Sequence, residues 1–347
     1  MRKLRFTTSI AAALTLGACA SMPPATPKLA TSLPDLTSFI LMRTDAGAFP
    51  ATRVSVDQAA GVLAGYDVIF IGEAHEHPGN HLAEMELLHA IYERAPRLSL
   101  SMEQFERDVQ PDVDDYLAGK IGENQFTAKA RAWPNYTTSY RPLVEFAKDH
   151  KLPVIAANAP EKVIRCVGRE GDAFFARMKP EERGWAAAQL NTQDGLYKDK
   201  FMGFVGGDEG HGGTSDKTAP RKPPTDQQIR SFAAQVTRDD TMAESIAQHL
   251  AKNPGRKVVH INGSFHSDSF LGTVERLKIR MPNLKIAVVN PDFADDPLHP
   301  KVSEKEAKAG TFTLLLRELP DFYANDEEMS AAIKKQMAAR DRNKCEL

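Results

Sequence analysis

Five short apolar runs, separated by segments with helical spacing, most constrain how this chain can fold. They are Asp67–Ile71, Leu98–Met102, Pro153–Ala157, Lys257–Ile261 and Leu284–Val289. Each run has the length of a strand, and near-continuous apolar sequence is typical of strands that are covered on both faces. Alternation of strands with helices predicts an α/β fold, with a mostly parallel β-sheet flanked by helices.

Carboxylate and imidazole side chains stand at the ends of these runs. Glu73 and His75 follow the first run, Glu103 follows the second, and His266 follows the fourth. The carboxyl ends of parallel strands share one edge, and ligands bind in the crevice outside it. We therefore expect these four side chains to converge although they are far apart in sequence.

Several kinds of chemistry fit such a set. Imidazole and carboxylate ligands suit Zn, Mn or iron, and the same groups suit acid/base catalysis without a metal. A purely structural interpretation is also open, in which Glu73 caps the next helix and the imidazoles satisfy loop carbonyls. The HExxH spacing of zinc proteases is absent, because the residue four positions after His75 is Gly79.

An aromatic stretch lies between the second and third runs. It contains Trp133, Tyr136 and Tyr140, and a helix is predicted from Pro142. These rings either pack the start of that helix or line the crevice, where a tyrosinate is a ligand for ferric iron.

The spacing of the runs predicts the domain organisation. Residues 36–300 form the α/β domain, and the helical patterns of residues 160–252 predict an inserted helical subdomain. Within it, residues 206–226 are rich in Gly, Pro and charge, which predicts a mobile loop. Residues 301–347 contain one more predicted strand, Thr311–Leu316, and a charged helix.

The N-terminus has the pattern of an export signal. Residues 1–18 combine a basic start with a short apolar run, which predicts a signal peptide cleaved before Cys19. Leu16-Gly17-Ala18-Cys19 resembles a bacterial lipobox, which implies a lipid on Cys19, and Ala20 favours the outer membrane over the inner one. An ordinary secretory signal is the alternative. The Pro-rich residues 19–35 predict a flexible tether.

Charge and cysteine usage narrow the partners. The formal net charge is −2, and the sequence has no global basic field, which argues against nucleic acid as a partner. Cys166 and Cys345 lack CxxC spacing, so they form either a pair in an oxidising envelope or two free thiols.

Several short motifs occur in a fixed order along the chain. They are Gly72-Glu73-x-His75 with His81, a strand ending in Glu103, Trp133 with Tyr140-Arg141-Pro142-Leu143, residues 155–160, Arg238-Asp239-x-x-Met242-Ala243, and Gly263-x-x-His266. Together they resemble the ChaN-like family of bacterial lipoproteins, which is similar to the wider group of erythromycin esterases and Tiki proteases. The resemblance implies a parallel sheet with a smaller helical domain.

The resemblance also implies a function. It implies haem or ferric iron as the cofactor, a role in iron or haem acquisition, and a homodimer that holds haem between subunits. The candidate cofactor-binding residues are Tyr140, Trp133, Tyr136 and His81. The enzymatic relatives imply an alternative, a hydrolase of esters or peptides in which His75 or Glu103 activates water and His266 assists. A scaffold with a vestigial crevice is a third hypothesis.

Overall fold

The computed structural model of the protein describes residues 29–206, 223–341 and 345. The predicted signal peptide, Cys19, most of the predicted tether and most of the predicted loop lie outside the described residues. One eight-stranded sheet organises the described chain. Its strands are β1 (Phe39–Arg43), β2 (Thr52–Val54), β3 (Val68–Glu73), β4 (Leu98–Glu106), β5 (Val154–Asn158), β6 (Lys257–Gly263), β7 (Ile286–Phe293) and β8 (Phe312–Leu316).

The five predicted strands pair in parallel within this sheet, so the predicted fold class is confirmed. The strand order is β2-β1-β8-β7-β3-β6-β4-β5. Strands β3 to β8 pair in parallel, whereas β1 pairs antiparallel with both β2 and β8. The predicted tail strand is β8, and it lies inside the sheet between β7 and β1. The tail is therefore part of the same sheet as the α/β domain.

Helices connect these strands. They are α1 (Val56–Leu63), α2 (Pro78–Arg94), α3 (Gln110–Leu117), α4 (Glu123–Lys129), α5 (Arg141–Asp149), α6 (Glu161–Glu170), α7 (Leu196–Gly206), α8 (Asp226–Lys252), α9 (Thr273–Arg280) and α10 (Asp326–Asp341). Side-chain caps begin some of them: Ser55 and Gln58 form a capping box at α1, and Thr225 and Gln228 form one at α8. None of the helices within the described residues has the length and apolar character needed to cross a membrane.

The alternation of side chains along β3 divides the core into two layers. Ile69 and Ile71 pack into the larger cluster, which includes buried residues of α1, α2 and α5. Val68 and Phe70 point to the opposite layer, where they pack with residues of α8 and α9. All six residues of β3 are buried, as a central strand covered on both faces requires.

The segment between β5 and β6 is helical in the part that the structure describes. It comprises α6, α7, α8 and short 3-10 turns. The longest helix, α8, contributes Met242 and Ile246 to the core layer under the sheet. This helix therefore both covers the sheet and carries side chains toward its carboxyl edge.

Candidate functional site

Three neighbouring strands carry the predicted site residues to one edge of the sheet. Glu73 is the last residue of β3, Glu103 lies in β4, and His266 follows β6 in a 3-10 turn. Strand β6 pairs with both β3 and β4, so the three side chains start from adjacent positions. The strands extend further than the apolar runs predict, and both carboxylates are therefore buried in the sheet rather than exposed after it.

One oxygen of Glu73, Oε1, is the centre of a hydrogen-bond cluster that reaches the half-exposed His75; we call this the outer cluster. This oxygen accepts hydrogen bonds from Gln104 Nε2 at 2.8 Å and from the Tyr140 hydroxyl at 3.0 Å. His75 Nδ1 lies 2.7 Å from the same oxygen. Because a carboxylate accepts, this contact places the proton on Nδ1 and leaves Nε2 of neutral His75 as a lone pair.

His75 is the accessible member of the cluster. Its side chain is 48% exposed, whereas Glu73 has no exposure. Burial lowers the pKa of His75, but the hydrogen bond and charge of Glu73 and the charge of Glu103 outweigh it, so the pKa is raised. The Trp133 ring lies edge-on to the imidazole at a centroid distance of 5.4 Å.

Gly263 makes room for the His75 ring. A Cβ at this position would lie 2.7 Å from His75 Nε2, which is closer than real Cβ contacts allow. The glycine backbone also binds the site directly, because Gly263 N–H donates to Glu103 Oε2 at 2.7 Å. Glycine at the end of β6 thus positions one side chain and leaves space for another.

A buried row of charged side chains, Asp239, His266 and Glu103, lies beside this cluster, and we call it the ladder. His266 Nδ1 is 2.8 Å from Asp239 Oδ1, and His266 Nε2 is 3.4 Å from Glu103 Oε1. Asp239 also accepts from the Tyr197 hydroxyl at 2.5 Å and from the Thr273 hydroxyl at 2.8 Å. All three ladder residues are buried.

The two carboxylates keep His266 charged. Burial lowers the pKa of His266, but Glu103 and Asp239 outweigh it and raise that pKa to about 10. Burial raises the pKa of Glu103, but the His266 charge outweighs it and lowers that pKa to about 2. His266 is therefore an imidazolium with both ring nitrogens engaged, which does not suit a metal ligand.

A second group of side chains lies next to Glu73 Oε2, the oxygen that does not contact His75. His81 Nδ1 is 3.0 Å from Glu84 Oε2 and 3.7 Å from Glu73 Oε2. Glu84 is fully buried; burial and the Glu73 charge raise its pKa to about 7. Asn80 Nδ2 donates to Glu84 Oε1 at 2.9 Å and fixes this carboxylate.

The turn from β3 to α2 differs from the expectation that Glu73 caps this helix. His77 is the N-cap: its Nδ1 accepts from Gly79 N–H and Asn80 N–H, and its Nε2 contacts the Arg317 carbonyl at 2.7 Å. Asn80 lies within α2, and its side-chain oxygen accepts from Ala74 N–H at 2.9 Å.

The aromatic candidates divide between core and surface. Tyr136 and Tyr140 belong to a π-helical turn and are buried in the core, with Tyr140 fully so. Burial and the charges of Glu73 and Glu84 hold the pKa of Tyr140 far above its usual range. Tyr140 is thus a neutral phenol committed to Glu73, and this conformation does not present it as a tyrosinate ligand. Trp133 is only partly buried.

The predicted four-residue metal set is divided by this geometry. His75 is half-exposed and contacts Glu73, while Glu103 and His266 belong to the ladder with Asp239. Among the described residues, the group whose ligand atoms all lie within 4.8 Å of one another is Glu73, His81 and Glu84. Prediction from sequence missed Glu84, although its spacing of three from His81 and four from Asn80 on one helix is a usable signal. Cys166 and Cys345 are free thiols in this structure.

Comparison with known proteins identifies the class. The parallel sheet with its carboxyl-edge cluster has the fold of a solved structure described as cofacial heme binding to ChaN of Campylobacter jejuni. The TM-score is 0.58 at 15% identity, over 81% of this chain and 97% of that one. The model of the haem-binding uptake family, Tiki superfamily, ChaN, matches residues 59–277, and this chain belongs to that family.

Two further comparisons show weaker similarity. Protein RETICULATA-RELATED 5, chloroplastic, from Arabidopsis thaliana is 24% identical over 207 residues, which are 57% of this chain and 27% of that protein. The chain thus spans about a quarter of the length of this curated relative. A solved erythromycin esterase variant in its open conformation aligns with a TM-score of 0.43 at 11% identity, over 85% of this chain and 87% of the other.

Proposed function

We propose that this protein binds haem at the carboxyl edge of its sheet, with His75 as the residue that faces the iron. The observation that carries the proposal is the half-exposed imidazole whose Nδ1 is held by buried Glu73. A carboxylate on one ring nitrogen fixes the orientation and raises the basicity of the other, as in ligating histidines generally. Membership of the haem-binding uptake family supports the same cofactor.

The residues around His75 fit such a group. Gly263 allows the His75 ring to lie close to the end of β6, and Trp133 supplies a flat, partly exposed ring for a porphyrin to pack against. His75 would hold the bound haem, and the haem would supply an iron that accepts the imidazole nitrogen. The protein's own contribution is to orient the ring through Glu73, which leaves Nε2 as the free nitrogen of the neutral imidazole.

Haem titration tests this proposal. Adding haem to the mature protein, residues 19–347, should give a saturable Soret band distinct from that of free haem. His75→Ala should shift or abolish the band, whereas Tyr140→Phe should leave it in place because that hydroxyl is buried. A band that survives His75→Ala but is lost with Tyr140→Phe would reverse the assignment and require the π-helical turn to open.

The finer biological role belongs to the same proposal. The lipobox at Cys19 and the Pro-rich tether support a lipid-anchored protein of the outer membrane that serves haem or iron acquisition. Membrane fractionation with the Cys19→Ala variant tests the anchor: wild-type protein should sediment with outer membranes and the variant should be released. Analytical ultracentrifugation with and without haem tests the proposed homodimer.

A hydrolase is the second candidate, and the charged ladder is the observation that favours it. A buried imidazolium beside an imidazole whose second nitrogen is held by a carboxylate resembles a paired acid and base. In this hypothesis, His75 activates water and His266 stabilises the negative charge that develops on the substrate. Turnover of an ester or amide substrate that is lost in both His75→Ala and Glu73→Gln would support it, and a broad substrate screen without turnover would refute it.

A further inference from the structure

Glu73 also belongs to a mixed cluster with His81 and Glu84, two residues that neither proposed function uses. Glu73, His81 and Glu84 each offer a ligand atom, and these atoms all lie within 4.8 Å of one another. Both carboxylate side chains have no exposure, and the His81 side chain is 9% exposed. The cluster therefore lies behind His75, out of solvent.

One carboxylate oxygen in this cluster has no partner. Glu73 Oε2 is buried without a hydrogen bond, while Oε1 takes all three of the outer contacts. Oε2 faces His81 Nδ1 at 3.7 Å, which is too long for a hydrogen bond. A desolvated carboxylate oxygen without a partner is costly, so this oxygen favours a positively charged partner at this position.

The spacing of the ligand atoms fits a metal ion. Bonds of about 2.0–2.2 Å to nitrogen and oxygen place neighbouring ligand atoms on the order of 3.0–3.6 Å apart in tetrahedral or octahedral sites. Nδ1 of His81 lies 3.0 Å from Glu84 Oε2 and 3.7 Å from Glu73 Oε2. The first distance lies at the lower end of this range and the second lies just above it.

The residues around the cluster hold the ligands in place. Asn80 donates to Glu84 Oε1, and Gln104 and Tyr140 donate to Glu73 Oε1. Each carboxylate is therefore anchored through one oxygen, and the other oxygen is left for the cluster. Hydrogen bonds of this kind orient the ligands of metal sites and are part of their affinity.

We propose that Glu73, His81 and Glu84 bind one divalent transition-metal ion, of the Zn²⁺ or Mn²⁺ type, behind His75. Two carboxylates and a neutral imidazole around a dication give a site with no net charge, which is the form of a buried ion that costs least. Glu73 would then contact the ion through Oε2 and His75 through Oε1.

Cobalt titration tests this proposal without haem. Mature protein stripped with a chelator should bind one Co²⁺ per chain with ligand-field bands in the visible, and Zn²⁺ should displace it. Glu84→Gln keeps the size of the side chain and an oxygen for Asn80, and should weaken binding by at least about tenfold. The matched control is Glu86→Gln, an exposed glutamate on the same helix, which should titrate like wild type.

The outcomes separate this inference from haem binding. A folded apo protein that shows no saturable Co²⁺ binding would overturn the inference, as would a Glu84→Gln variant that titrates like wild type. Loss of binding in Glu103→Gln, with Glu84→Gln unaffected, would move the ion to the outer residues and also overturn it. The Soret band is read independently, so each proposal can fail alone.

Discussion

Replacing His266 by glutamine tests whether the Asp239–His266–Glu103 ladder stabilises the fold through charge. The change removes the imidazolium and leaves two carboxylates facing each other in a buried space. Removing one partner of a buried ion pair typically costs about 3–5 kcal/mol. We therefore expect the free energy of unfolding of His266→Gln to fall by about that amount.

The pKa values give the same magnitude by a second route. A rise of the His266 pKa from 6.5 to about 10 corresponds to roughly 5 kcal/mol in favour of the charged form. The fall of the Glu103 pKa from 4.5 to about 2 corresponds to roughly 3 kcal/mol. The second figure is smaller because Glu103 has one charged partner in the ladder, whereas His266 lies between two.

Urea unfolding followed by far-UV circular dichroism measures these values in a double-mutant cycle. Glu103→Gln alone leaves the His266–Asp239 pair intact and should cost less than His266→Gln. The double variant should be more stable than the sum of the single effects predicts, with a coupling of about 1–3 kcal/mol. A His266→Gln cost below about 1 kcal/mol, or additive effects, would refute the charged-ladder interpretation.

The pH dependence provides a further check. The folded pKa of His266 is raised, so its contribution is fully present below pH 6.5 and is lost as the pH rises toward about 10. The folded pKa of Glu103 is depressed, so its contribution is present above pH 4.5 and is lost as the pH falls toward about 2. Both contributions are therefore fully present between pH 4.5 and pH 6.5, where the ladder should stabilise most. The His266→Gln variant should lose less stability than wild type as the pH rises above this window.

Three other substitutions test the site by different measurements. Gly263→Ala should displace the half-exposed His75 ring, because the new Cβ would lie 2.7 Å from Nε2; haem affinity should fall while the unfolding midpoint changes little. Tyr140→Phe removes one of three contacts to Glu73 Oε1 and should cost about 1 kcal/mol in urea unfolding. Asn80→Ala leaves the Ala74 N–H and a Glu84 oxygen without partners, and should cost roughly 2–4 kcal/mol by the same assay.

The parallel strands could be predicted from sequence because strands buried on both faces consist mostly of apolar residues. Strands such as β3 are apolar over most of their length, and length then separates them from helices. The edge strand β2 has no such apolar run, because it has only three residues, Thr52–Val54, and is only partly buried. The position of β1 and β2 in the sheet follows from the pairing of β1 with β8, near the other end of the chain, which is a tertiary property.

The convergence of the site could be predicted from topology, but the partition of its residues could not. Alignment of strand ends brings Glu73, Glu103 and His266 together in any parallel sheet of this order. The sequence does not show which oxygen of Glu73 faces outward or that Asp239 on α8 reaches His266. It also gives no sign that the Tyr140 hydroxyl points inward, because tyrosine is equally common in cores and at site walls.

The contact between His77 and the Arg317 carbonyl makes the loop that carries His75 depend on the far end of the chain. On one side the loop continues from β3, and on the other side His77 is tied to the residue that follows β8. The loop that carries His75 is therefore held by a segment lying beyond the matched family region, which ends at residue 277. A minimal version of the protein cut at that family boundary would keep the sequence motifs and lose both β7 and β8 together with this contact.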